Sequence, residues 1–447
     1  MAIKAFLQGF GATHLWELNN NGTSPADNLG NSSNTVVITG GTYSFQTSPV
    51  CLGVTHSLRV SASPNNGVDG AVFTNSTDIN VSPMAFASGT RSILLWFRQE
   101  AIENPTCIFE QGGSVNNFAF MGGAQITFQA ADAGQPFLIA ASKSLAIAGR
   151  NYCAVGVWEH HTQHAGSGNR ILFYLNGVLQ STSQLNGTDP FPGHTGDVVA
   201  GNSSEPLKSF ASTVYTSQTT AKNENYLGFY NNVSLTESEC REIFERMVIP
   251  EVVIAADTAA NQQTALNALS GNTYQDVNCA IEIRQATDAT NYSLTLNNIS
   301  FVQNASLNDI AVQYVGPNTL TIVNSSSNAV EVSTPSEKDL DGGTTIITGG
   351  GTIVVSNPVV LTVTSNISLV GAEIRMYDAD STGVDKGTEL VGVETSTTAT
   401  FVTSLIANAN LIFIQIIQAG VEEEEISFTM GAASQTINIS RKLEEND

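Results

Sequence analysis

The stretch Asp378-Ala379-Asp380-Ser381-Thr382-Gly383-Val384-Asp385-Lys386-Gly387-Thr388-Glu389 sets oxygen-bearing side chains at positions 1, 3, 5 and 12, with glycine at 6. A calcium loop uses that spacing to wrap hard oxygen ligands round the ion and close it with a distal carboxylate. Calcium held by Asp378, Asp380, Thr382 and Glu389 is one reading. The flanks alternate like strands rather than helices, however, and a hairpin turn uses the same Asp, Gly and Thr for backbone reasons. A second cluster, His160-His161-Thr162-Gln163-His164, brings three imidazoles within one short segment and could take a transition metal. No Cys or carboxylate completes that set inside the loop, and an exposed hairpin ahead of Ile171–Leu175 needs no metal. Glycoside hydrolysis wants two carboxylates about 5 to 10 Å apart on a cleft wall. Glu110 and Asp132 stand singly among apolar or small neighbours. There is no Gly-x-Ser-x-Gly elbow, P-loop or His-Glu-x-x-His, so no catalytic residue is assigned and the chain is expected to be non-enzymatic. Trp16, Trp96 and Trp158 could stack on sugars, but each lies in an apolar run that reads as core.

The elements that position these residues are expected to be short strands. Hydrophobic residues make up 41% of the 447, enough for packed interiors, while charged residues are only 13%. Asn, Ser, Thr and Gly are abundant and strong helix formers scarce, which points to an all-β chain. Its length calls for two to four domains. Forty acidic against 17 basic residues give a formal charge of −23. Such a field repels nucleic acid and suits cations, a basic protein partner, or simple solubility. The cysteines Cys51, Cys107, Cys153, Cys240 and Cys279 form no C-x-x-C pair, and most sit in apolar runs where a thiol behaves as a small hydrophobe. That pattern suits assembly in a reducing cytoplasm. The N-terminal stretch Met1–Phe10 has one basic residue but a very short apolar run, a poor secretory signal, and no run approaches a membrane span. The Asn-x-Ser/Thr triplets at Asn75, Asn202 and Asn298 then reflect composition rather than glycosylation.

Three regions are expected. Residues 1–249 read as strands ending on a helix: Thr236 and Glu239 form a capping box, and Cys240, Ile243, Phe244 and Met247 make one apolar face before Pro250. Residues 250–365 open with a helix over Asp257 to Leu269 and continue as short strands about ten residues apart. They include Ala280–Ile283, Leu294–Phe301, Ile310–Tyr314 and Val360–Val363. Such rungs stack as a β-solenoid, or as a prism completed between subunits. Residues 366–447 read as a small β-sandwich with an acidic tail; the run Glu422–Glu425 is a solvated loop or a dock for a basic partner.

Within region one, Leu15–Leu18, Ser57–Val60, Ile93–Arg98, Tyr152–Trp158, the "YLNG" turn at Tyr174–Gly177, Asn225–Tyr230 and "SLTESE" follow the order of a laminin-G or concanavalin-A-like jelly roll. This resemblance spans nearly all of 1–249 and implies a carbohydrate- or protein-binding module. Relatives that hydrolyse β-glucans carry a Glu-x-Asp-x-x-Glu strand, which is missing here, and no calcium ligand set can be matched residue by residue. In region two, "LTLNNISF", "IAVQYVGPNTLTIVN" and "GGTTIITGGGTIVV" are similar to segments of tailed-phage structural proteins. In region three, "GAEIRMYDAD" and "GTELVGVETS" resemble a carboxypeptidase-regulatory-like, prealbumin-type sandwich of the kind found in phage virions.

Together the resemblances imply a virion-surface protein assembled in the host cytoplasm. Its partners would be other virion proteins and a host-surface glycan, with no nucleic acid and no membrane span. The short strands of region two imply a homo-oligomer, with a trimer favoured. A tail or head fibre, a capsid decoration protein without a glycan role, and a bacterial adhesin are the competing forms. The missing secretory signal weighs against the adhesin, and anchoring through the C-terminal side weighs toward the head.

Overall fold

The computed structural model describes residues 3–19, 36–39, 43–60, 70–73, 89–102, 106–111, 117–131, 138–166, 168–184, 198–200, 207–208, 214–215, 222–324, 330–340, 345–356, 358–379, 385–406, 411–429 and 435–444. The protein is all-β, with three short α-helices among the described residues.

Region one is a two-sheet sandwich. Sheet one runs Val178–Gln184, Arg170–Leu175, Asn151–Glu159, Thr90–Gln99, Lys222–Asn231, Ser57–Val60, Tyr43–Gln46, with His14–Glu17 also paired to Lys222–Asn231. Sheet two runs Leu138–Ala141, Thr127–Ala131, Asn117–Gly122, Thr106–Gln111, Val198–Ala200, Gly70–Phe73, Val36–Thr39. Side chains alternate across a strand, so Ile93, Leu95 and Phe97 enter the core between the sheets. Leu94 and Trp96 enter a second core on the far side of sheet one. Burial on both faces explains why Thr90–Gln99 reads as one apolar run instead of an alternation.

Two helices close that second core. α1 (Ile3–Gly9), which the sequence leaves as a short apolar stretch, buries Ile3, Phe6 and Leu7 at helical spacing. α2 (Glu237–Met247) begins at the expected capping box: Thr236 Oγ1 accepts from Glu239 N, and Glu239 Oε2 accepts from Thr236 N. Cys240, Ile243, Phe244 and Met247 are its buried face, and Phe244 stacks on Trp96 with ring centroids 5.9 Å apart. All five cysteines are buried as free thiols. The three tryptophans lie in the cores, not on a surface.

Region two resolves the choice between solenoid and prism. Val252–Ile254, Cys279–Arg284, Ile310–Val315 and Val332–Ser333 pair in parallel along one face. Tyr292–Leu296, Thr319–Asn324 and Thr352–Ser356 pair in parallel along a second. Thr273–Gln275 and Ser300–Val302 form a third. The chain visits the faces in turn and returns to each one coil later, which is a β-solenoid. The single strand expected over Leu294–Phe301 is two strands broken at a corner, where Asn298 takes φ 53°. α3 (Ala259–Asn267), capped by Thr258, replaces a strand on the second face in the first coil. Its Gln263 side chain donates to Thr295 O and accepts from Thr295 N, standing in for the missing rung.

Region three packs Phe401–Ile406, Pro358–Ser365 and Gln435–Ile439 against Lys386–Val393, Glu373–Ala379, Leu411–Gln418 and Val421–Thr429. Pro358–Ser365, assigned from sequence to region two, hydrogen-bonds Phe401–Ile406 and Gln435–Ile439. The sandwich therefore starts at that strand rather than at 366. The acidic run Glu422–Glu425, expected in a loop, lies within the strand Val421–Thr429.

Candidate functional site

Sheet two has a second face, directed away from the core it shares with sheet one. Phe118 and Phe120 point into the core between the sheets, so Ala119 and Met121 point away from it, where they cluster with Cys107. Glu110 is in register with Ala119, Ala119 with Gln129, and Gln129 with Ile139, giving one transverse row on that outward face. Glu110 and Ala119 are fully buried and Gln129 nearly so. Glu110 is the only carboxylate within the strands of this sheet. Asp132 lies outside the described residues.

Of the four residues expected to hold calcium, Asp378 and Glu389 are described and lie on neighbouring paired strands. Asp378 Oδ1 accepts the amide of Thr388, and Glu389 pairs with Arg375 at 3.0 Å. Asp380 and Thr382 lie outside the described residues. His161 and Gln163 bound a single 3-10 turn with His164 after it. His160 and His161 meet edge to face with ring centroids 3.9 Å apart, and His164 Nδ1 accepts from Gly166 N at 3.0 Å. Burial, the Arg170 charge and His161 lower the His164 pKa, against a smaller rise from Glu159. No group of three or more His, Cys, Asp or Glu is gathered for a metal among the described residues.

What sequence reasoning missed is the joint between sandwich and solenoid. Leu307, on the 3-10 turn Ala305–Leu307 of the solenoid, is buried inside the sandwich core. Cys279 and Ile310 enter the second core beside α1 and α2. Around these apolar plugs runs a buried polar seam. Arg150 pairs with Asp309, and Asn176 Nδ2 donates to Asn278 Oδ1 at 3.2 Å and to Leu307 O at 3.0 Å. Asn278 Nδ2 donates to Asn151 O at 2.8 Å.

On the α2 side, Lys338 Nζ lies 2.6 Å from Glu282 Oε2 and 3.0 Å from Val248 O, with both charged side chains wholly buried. Burial alone would raise the Glu282 carboxyl, but Lys338 and Arg284 more than offset it and hold it below the usual range. Arg246 pairs with Glu337 and lies over the Phe6 ring at 3.7 Å, and Asp339 Oδ2 accepts from Ile3 N at 3.0 Å. Glu17 and Glu245 are raised, chiefly by burial. No local pattern signals any of these pairs, because each joins residues brought together only by the fold.

A laminin-G-type family model described as "Concanavalin A-like lectin/glucanases superfamily" matches residues 69–215. A search of curated proteins finds no match. Among solved structures, the chain is similar to the botulinum neurotoxin serotype D/C binding domain, with 12% identity and a TM-score of 0.39 over 52% of this chain and 51% of that one. It is also similar to the binding domain of Paraclostridial Mosquitocidal Protein 1, at 11% identity and a TM-score of 0.37 over 53% and 52% of the two chains. A third likeness is to domain 4 of AbnA, an extracellular arabinanase from Geobacillus stearothermophilus solved with arabinotriose. There the identity is 16% and the TM-score 0.35, covering 52% of this chain and 97% of that one. The match spans about half the length of the two toxin binding domains. The N-terminal region of this protein is a two-sheet jelly-roll sandwich, and residues 69–215 within it are similar to the laminin-G and concanavalin-A-like family.

Proposed function

We propose that the chain is a non-enzymatic surface protein of a tailed-bacteriophage particle. Its jelly roll makes adhesive contacts, either to a host-surface glycan or to the particle shell. The observation that carries this reading is a lectin-type sandwich whose sheet two holds one strand carboxylate, Glu110, and holds it away from water. Two facing carboxylates would be needed for glycoside hydrolysis, so the arrangement favours binding over turnover. The solenoid supports the same reading by fixing the jelly roll through a shared core and the buried Arg150–Asp309 ion pair. Shallow contacts of this kind gain strength from copy number on a particle. The C-terminal sandwich fits the spacer or docking role that its prealbumin-type resemblance implies. Calcium at the Asp378–Glu389 hairpin remains part of the proposal; an ion there has to draw Glu389 away from Arg375 and Asp378 away from the Thr388 amide.

Cryo-electron microscopy of the source phage tests the proposal. Density on the capsid lattice makes the shell the binding partner. Density at the tail makes host glycan the partner and is to be followed by a glycan-array screen. Particles that lack the protein altogether refute the virion reading.

A further inference from the structure

Among the described residues, the solenoid is finished at one end and open at the other. At its first coil, α3 buries Leu266 in the solenoid core, and Gln263 satisfies both backbone groups of Thr295. Leu294 and Leu296 beneath it are shut off from water. At the last coil the second face ends on Thr352–Ser356, which pairs with Thr319–Asn324 on one side and with no strand on the other among the described residues. Ile353 and Val355 point inward onto the core, yet both are only half-buried, whereas Leu320 and Ile322 one coil back are fully buried. Val354 between them is 46% exposed.

An open edge of this kind is a template for another strand, and proteins ordinarily guard it with Lys, Pro or a bulge. None of these guards is present: Thr352–Ser356 pairs with its neighbour without a register break, and no charged residue occurs between Asp341 and Glu373. We propose that this edge is a two-fold contact with a second copy of the same chain. Thr352–Ser356 pairs antiparallel with its own counterpart, centred on Val354. Two considerations favour a second copy. In a chain of net charge −23, copies repel except where they meet on uncharged surface, and this edge provides it. Antiparallel pairing of identical strands about a two-fold also gives every free amide and carbonyl of one copy its complement on the other. The added strand covers Ile353 and Val355 as α3 covers Leu294 and Leu296. Five residues a side make a small contact, so the association is weak and concentration-dependent. This inference does not depend on the virion reading, and it replaces the three-fold association expected from sequence.

Sedimentation velocity of the full chain over a range of concentrations, extended to about 100 µM, tests it, with the mutations placed at exposed Val354 so that folding is preserved. Wild type is expected to shift from monomer to dimer. Val354→Lys and Val354→Glu each place like charges directly opposite across the axis, so each is expected to weaken dimerisation at least about tenfold. An equimolar mixture of the two variants pairs Lys with Glu and is expected to restore dimer, which a merely structural effect of either substitution would not do. A wild type that stays monomeric or forms a trimer overturns the proposal. So does an oligomer indifferent to both variants, or a mixture that stays monomeric.

Discussion

Lys338 and Glu282 are 56 positions apart, wholly buried, and joined at 2.6 Å in the seam between jelly roll and solenoid. Removing Lys338 leaves the buried Glu282 carboxylate with Arg284 as its remaining cationic partner at 2.9 Å, so the loss lies toward the lower end of the about 3–5 kcal/mol for breaking a buried pair. Lys338→Met is therefore expected to lower the unfolding free energy by about that amount at pH 7 in denaturant titrations. The sign of the pH dependence follows from Glu282, whose folded pKa lies below the ordinary carboxylate value. Its stabilisation is complete above about pH 4.3 and is lost as pH falls through the lower folded value. The gap between wild type and variant should thus narrow only in acid. Glu17 behaves oppositely. Burial raises its carboxyl, the Lys4 charge offsets only part of that, and Asp339 adds to the rise. Its ionised form is disfavoured in the fold, so the destabilising contribution is full above the raised folded pKa, shrinks as pH falls below it, and is gone below the ordinary carboxylate value. Glu17→Gln is expected to raise Tm at pH 7, with the gain disappearing on acidification; an unchanged Tm at both pH values would rule this out.

At the level of elements, what could be read in the sequence was what is local. α2 was legible because its cap, its apolar face and its terminating Pro250 all lie within a few turns of one another. α1 carries the same spacing at Ile3, Phe6 and Leu7, but one short helix of seven residues is not stable without the core that receives it, so its pattern alone did not announce it. The solenoid strands were visible as short apolar runs. Their parallel pairing was not, because Ile281 meets Val312 only after a whole coil has closed. Asn297-Asn298 marks a corner, yet it sits between apolar residues that read as one strand. The candidate site was least legible of all. Leu307 looks like any aliphatic in a turn, and only the fold shows that it fills the core of a different sheet pair. Leu307→Ala is accordingly expected to cost about 2–5 kcal/mol, the range for deleting a buried leucine, although the residue lies outside the jelly roll in sequence. The same truncation at exposed Leu145 should be nearly silent. Equal losses for the two in chemical denaturation would show that Leu307 does not plug the core.

For the whole molecule the shared core changes what counts as a unit. The sequence suggests a boundary near 249 and another near 365, but the first falls where apolar contact is continuous. Cys279, Leu307 and Ile310 lie beyond it and still pack inside the two cores of the jelly roll. Asp309 lies beyond it and neutralises buried Arg150. A chain ending at residue 249 would lose that guanidinium's carboxylate and the side chains that fill two apolar cores, each worth several kcal/mol against a total stability of about 5–15 kcal/mol for a typical domain. Such a fragment is expected to retain strand signal in the far-UV while losing near-UV dichroism and binding a hydrophobic dye, the behaviour of a chain whose packing has loosened. A chain ending at residue 357 keeps every one of those contacts and gives up only the C-terminal sandwich, whose core contains none of the joint residues. It is expected to melt in one cooperative transition near that of the full protein. If the 249-residue fragment instead melts cooperatively with intact near-UV signal, then jelly roll and solenoid are separate folding units and the seam is only a contact between them. The distinction matters for the adhesive role proposed above, because a jelly roll fused to its mount transmits load through buried aliphatic and ion-paired contacts, whereas one held on a linker would yield at the linker first.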